Sequence, residues 1–263
     1  MLVFAAYTPH SPLLLPSIGQ DNSDKLNVTT KAFEILSENL YLTHPETIII
    51  ISAHGSDQNK SFSINLYDHY GVDFKDFGDF STQAKYSPDT QLIDTIQRQA
   101  RKQEIPVNLI SDPTLNHSTA VPLLLLTKQL KNFKIIPAAY SKHDSKTHLN
   151  YGRLLKEVVS DSSKRIAVIA SGDLSHCLST SAPMGFKKEG KIFDDSVIGA
   201  IEQMSTSQLI SINSNTITEA HECGYRSLLI LMGLIEHMNI KPEILSYEAP
   251  FGVGYLVTQF HLL

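Results

Sequence analysis

Three histidines fall where short apolar runs end: His10 after Leu2–Tyr7, His54 after Thr47–Ser52 and His176 after Arg165–Ala170. Neutral imidazole is the usual protein ligand for divalent iron, zinc and copper. Two imidazoles with one carboxylate leave coordination positions open for a substrate and for oxygen. One histidine at a strand end is most often a polar loop residue, whereas three at equivalent positions point to a shared site. The carboxylate candidate is Glu222, within His221-Glu222-Cys223-Gly224-Tyr225-Arg226 on a helix expected over residues 217–238. Glu222 and Arg226 are also spaced i, i+4 with the acid first, which suits an exposed ion pair, and spacing alone leaves both readings open. Cys223 is the softer donor beside it, and successive helical residues project about 100° apart, so only one of the two can face a metal. His117 stands where a loop enters an apolar helix, a place that equally suits capping. The remaining histidines are expected at the surface or in packing.

The elements that must position these residues follow from apolar periodicity. Leu2–Tyr7, Thr47–Ser52, Val107–Ile110, Lys134–Ala139 and Arg165–Ala170 are short β-branched or apolar runs expected as strands. Between them, residues 25–42, 88–103, 120–130 and 147–159 carry apolar residues every three to four positions, as helices covering a sheet do. That alternation predicts an α/β fold, a single domain with a central, mostly parallel sheet flanked by helices. Its cleft lies where the carboxyl ends of the strands converge. The long stretch from Asp68 to Tyr86 is expected to border that cleft. Thr216 and Glu219 have the spacing of a capping box opening the helix at 217–238. Glu243–Tyr247 and Tyr255–Phe260 are expected to form a terminal hairpin.

Composition narrows the function classes. A formal charge of −5 lacks the basic stripe that phosphate binding needs, so no nucleic-acid partner is expected. The longest apolar runs fall far short of the roughly 20 residues that span a bilayer, so no membrane partner is expected either. Two cysteines, Cys177 and Cys223, are ordinary for a reducing compartment, and a cytoplasmic location is expected. Gly252-Val253-Gly254 lacks the strand–turn–helix context of a dinucleotide fingerprint. Ser171 and Ser175 lie near His176 without the G-x-S-x-G form of a nucleophile elbow.

In order along the chain, Pro9-His10-Ser11-Pro12, Ser52-Ala53-His54-Gly55, Asn116-His117 through Val121-Pro122-Leu123, and Ser171-Gly172-Asp173-Leu174-Ser175-His176 resemble the motifs of class III extradiol ring-cleaving dioxygenases. That superfamily also contains the Memo-type proteins, whose Cys-Gly signature Cys223-Gly224 resembles. The resemblance implies that His10 and His54 are metal-binding histidines, Glu222 the carboxylate ligand, His176 the acid–base residue and His117 a residue of the substrate pocket. It implies Fe(II) as cofactor, with Zn(II) or Cu as alternatives. A small aromatic of the catechol or aminophenol type and O2 would be the partners, and the product a ring-opened semialdehyde acid. Homo-oligomerisation stays open. The other implied reading is a Memo-like metal-binding or partner-binding protein without ring cleavage. A metal-dependent hydrolase is a third, since an open metal site also activates water.

Overall fold

Strands buried on both faces must be apolar throughout, and Ile48–Ile51 has that character. In a computed structural model describing residues 1–54 and 60–263, Thr47–Ser52 lies fully buried at the middle of an eight-stranded sheet. In chain order the elements are β1 (Leu2–Thr8), α1 (Pro16–Gly19), α2 (Asn27–Leu42), β2 (Thr47–Ser52), β3 (Phe62–Asn65), β4 (Tyr70–Val72) and β5 (Lys85–Tyr86). There follow α3 (Thr90–Lys102), β6 (Val107–Ile110), β7 (Thr114–Leu115), α4 (His117–Leu126), β8 (Lys134–Ala139), α5 (Ser145–Asp161) and β9 (Ile166–Ser171). The chain continues through α6 (Lys188–Glu202), α7 (Thr206–Ser211), α8 (Ser214–Ala220), α9 (Tyr225–Ile235), β10 (Ile240–Glu248) and β11 (Tyr255–Leu262).

The large sheet has the order β10-β11-β1-β9-β2-β8-β3-β6. Its centre, β1, β9, β2 and β8, is parallel, while β11 joins β1 and β3 joins β8 antiparallel. Val107–Ile110, expected among the parallel strands, pairs with β3 and so runs against the centre. The expected terminal hairpin is β10–β11. Alternation along β2 sends Ile49 and Ile51 into an apolar layer with α3, α5 and α9, and Ile48 and Ile50 into a second layer with α2 and α4. No helix among the described residues is long and apolar enough to cross a membrane.

The single helix expected over 217–238 does not form. The segment is two helices, α8 and α9, separated by His221–Gly224. His221 adopts the left-handed conformation at φ 51°, a stop for α8, and Gly224 precedes α9. The cap of α8 is Asn213, whose side chain accepts from the Asn215 N–H, so Thr216 lies inside the helix and opens no capping box.

Candidate metal centre

Register decides which loops meet. Thr8 lies opposite Ser171 and Ile51 opposite Ala170, so β1, β9 and β2 end level and side by side. His10 and His54 each follow their strand by two residues, and His176 follows β9 within the loop that includes Asp173. The rings of His10, His54 and His117 lie within 5.0–5.3 Å of one another, centroid to centroid. Gly55, the end of the second motif, lies outside the described residues.

The orientation of His10 can be derived from α4. Pro122 has no N–H, so the Ser118 carbonyl lacks its helical donor. That carbonyl accepts the Ser171 hydroxyl at 2.5 Å. With its one proton committed there, Ser171 Oγ can only accept from His10 Nδ1, at 3.3 Å. His10 Nε2 is then the bare lone pair, and it faces Cys223 Sγ at 3.6 Å. A hydrogen-bonded Nδ1 and a free Nε2 is the arrangement that fixes a ligating imidazole. Ser118 also ties in the second loop, since its hydroxyl accepts the His54 N–H at 3.2 Å and donates to Asn116 Oδ1 at 2.6 Å. Asn116 caps α4 through the Thr119 N–H, which leaves the His117 ring free of any capping role. That ring packs against Phe77, from the excursion expected to border the cleft.

The structure does not bring Glu222 to the histidines. Its carboxylate accepts the Tyr225 N–H at 2.6 Å and lies 3.7 Å from Arg226, with a side chain only 3% exposed. The physical reason is the broken helix, in which the non-helical turn aims Glu222 at the first turn of α9 and Cys223 inward. The ion pair foreseen with Arg226 exists, yet its acid is buried and not at the surface. Cβ atoms could not be tolerated where this turn meets β9, because one added to Gly172 would fall 2.1 Å from Gly224 Cα. This close backbone approach seats Cys223 beside Asp173, whose N–H points at the sulfur at 3.3 Å.

Two donor groups therefore share the Cys223 thiol. Ligand atoms of His10, His54 and Cys223 lie within 4.8 Å of one another, and so do those of Asp173, His176 and Cys223. Asp173, given no role from the sequence, holds the centre. Its Oδ1 accepts the His10 N–H at 3.0 Å, and its Oδ2 lies 3.9 Å from His10 Nε2 and 4.0 Å from His176 Nε2. The signal for it was present, since Asp173 stands three residues before His176 in the quoted motif. His176 Nδ1 is buried without a hydrogen-bond partner among the described residues.

Electrostatics favours neutral donors. Burial, reinforced by the neighbouring histidines, holds His10 well below the usual imidazole range and His117 at about 4. Burial also lowers His54, against the pull of Asp173. The Cys223 thiol is pushed well up by burial and by the Asp173 charge. Burial raises Asp173 as well, opposed chiefly by His176. The imidazole nitrogens and the thiol together offer lone pairs that a cation can take.

The family profile described as the catalytic LigB subunit of aromatic ring-opening dioxygenase matches residues 4–258. Protein CA_C1420 from Clostridium acetobutylicum is 30% identical over 256 residues, covering 94% of this chain and 55% of that protein. A MEMO1 family protein from Methanosarcina acetivorans is 28% identical over 136 residues, 51% of this chain and 48% of its own length. Another from Methanosarcina mazei is 38% identical over 61 residues, 23% of each. The chain thus spans about half the length, or less, of the curated relatives it matches. The crystal structure of an uncharacterized protein, JW3007 from Escherichia coli K12, superposes with a TM-score of 0.67 at 16% identity, covering 98% of this chain and 99% of that one. At that identity the likeness shows the fold.

Proposed function

This chain belongs to the family of the catalytic LigB subunit of aromatic ring-opening dioxygenases, and from that premise we propose that it holds one thiolate-accepting transition-metal ion through His10, His54 and Cys223. This is the Memo-like reading of the fold. One observation carries it: Cys223 Sγ, and not a Glu222 oxygen, faces His10 Nε2. Two imidazoles and a thiolate suit Cu(I) or Zn(II) better than Fe(II), which prefers a carboxylate in the third position. The facial triad of His10, His54 and Glu222 is not assembled here, so no chemistry is routed through it. When bound, the ion supplies a Lewis acid with an open coordination position.

The chain's own residues do the rest. Ser171 keeps the His10 proton on Nδ1 and so keeps Nε2 available. Asp173 stands between His10 and His176, its Oδ2 4.0 Å from His176 Nε2, a gap across which one bridging water would carry a proton. The His117 ring, edge-on to Phe77, lines the cleft beside His10 and His54.

Cobalt substitution tests the reading. The parent and the Glu222→Gln variant should show a thiolate-to-cobalt charge-transfer band that Cys223→Ser lacks. A band that survives in Cys223→Ser sinks the proposed donor set.

Ring-opening oxygenation is the second reading, favoured by His117 and His176 standing over the same cleft. Oxygen uptake on a panel of catechols and aminophenols decides it. In that case His176→Phe should keep its metal and lose turnover by ~10²–10⁴-fold, the range of general acid–base catalysis.

A further inference from the structure

Beside His54 a cavity of about 240 Å³ opens between the first turn of α4 and the ends of β2, β3 and β8. None of His10, His117, Asp173, His176 or Cys223 lines it; His54 is its shared wall with the metal centre. Three of its lining residues carry hydroxyls on nearly inaccessible side chains: Ser52 and Ser63, each 1% exposed, and Thr119, 2% exposed. Among the described residues these hydroxyls make no hydrogen bond, and none is an enclosed orphan, so each faces the cavity. A buried hydroxyl without a partner costs free energy, and three that converge on one hollow are arranged for an occupant that bonds them.

From this we infer that the cavity is a ligand subsite for an uncharged or amine-bearing small molecule with an apolar body and hydroxyl substituents. Charge sets the first limit. Among the described residues no Lys or Arg lines the cavity, and the one charged lining residue is the exposed Asp112, whose Oδ1 accepts the Thr114 N–H, so an anionic group would find no counter-charge. The α4 N-terminus offers an anion little, because the Thr119 N–H is already taken by Asn116 Oδ1 at 3.0 Å. Shape and polarity set the second limit. Ile110, Leu115 and Pro137 give an apolar wall against which a ring can lie, and the hydroxyls of Ser52, Ser63 and Thr119 face it. Asn65 is not a free recognition group, since its amide is committed in both directions to the Asp112 backbone. Among the described lining residues, selection therefore rests chiefly on the three buried hydroxyls, with Thr114 and Asp112 at the exposed side. This subsite does not depend on the identity of the ion, or on whether one is held.

The test uses the full chain, both metal-loaded and chelator-treated, with three probes of one shape and different charge: tyrosol, tyramine and 4-hydroxyphenylacetate. Each has a single ring hydroxyl and so cannot chelate a metal through adjacent oxygens. Titration followed by ligand-observed NMR should show tyrosol and tyramine bound in both preparations, with 4-hydroxyphenylacetate at least about tenfold weaker, or ~1.4 kcal/mol. Ser63→Ala and Thr119→Val should each weaken tyrosol by about threefold or more with metal content unchanged, and Ser52→Ala provides an independent third variant. Equal affinity for the anion, no binding of any probe, or hydroxyl variants that bind like the parent would each overturn the subsite. Loss of metal binding with probe binding intact would reject the metal centre alone.

Discussion

Two buried histidines in this molecule look alike by accessibility and differ in everything else. His10, at the carboxyl edge of the sheet, has one ring nitrogen anchored by Ser171 and the other turned toward Cys223. His148, on α5 in the apolar layer of the opposite face, has Nδ1 2.7 Å from the Asp144 carbonyl and Nε2 3.1 Å from the Ser141 carbonyl. Its ring lies edge-on to Phe62, which in turn stacks on Tyr151 at 4.2 Å. Desolvation holds His148 at about 4, against the pull of the two carbonyls, so the ring is neutral and gives its one proton to the nearer oxygen. A histidine whose two nitrogens both meet backbone is a packing residue. One with a single anchored nitrogen and a free lone pair aimed at another donor is built for a ligand.

The largest effect that sharpens this contrast is metal affinity. His10→Ala and Cys223→Ser should each weaken binding beyond about 100-fold, the upper end of what outer partners contribute. Metal retained in both variants at parental affinity, read by competition titration, would erase the distinction. His148→Ala should do the opposite, leaving metal stoichiometry intact while costing about 2–4 kcal/mol of stability from the cavity and the lost hydrogen bond to the Asp144 carbonyl. A denaturant midpoint unchanged by that variant would make His148 dispensable.

Acid should expose His148 as well. The folded state keeps this ring neutral down to about 4, whereas the unfolded chain takes up a proton below the ordinary value of 6.5. The unfolded state therefore binds more protons within that window. Stability falls as pH drops from 6.5 toward 4, by at most about 3 kcal/mol from this residue. Comparison of stability at the two ends of the window in the parent and in His148→Gln isolates the contribution, because glutamine does not titrate. Equal slopes would show that His148 plays no part.

A smaller effect is expected one shell out from the metal. Ser171→Ala removes the anchor of His10 Nδ1 together with the donor to the Ser118 carbonyl, and should reduce metal affinity by ~10–100-fold while the chain still folds. An unchanged dissociation constant would mean that the tautomer is held by something else. Least affected is Glu222→Gln, in which metal affinity should move by less than about threefold, under ~0.7 kcal/mol. A larger loss would return the carboxylate to the metal and favour the iron-dependent ring-cleavage reading.

The sheet and the three strand-end histidines were legible in the sequence because each depends on a local pattern. The run Ile48–Ile51 can only be a doubly buried strand, and parallel neighbours put their following loops on one edge. Pro122 was visible too, but its effect was not, since a carbonyl freed in α4 has meaning only when β9 brings Ser171 to it. The choice between Glu222 and Cys223 lay beyond sequence pattern for a similar reason. Helical spacing presumes that the helix continues, and here the close passage of Gly172 against Gly224 goes with a turn at His221–Gly224 that reverses which side chain faces inward. Asp173 was visible three residues before His176, but its role was not, as a loop acid between two histidines gains its place only when β1 and β9 end level. Local periodicity thus determined the elements and the edge at which they meet. Long-range backbone contacts decided which donor atoms that edge presents, because a side chain's direction in a loop is set by what the loop packs against.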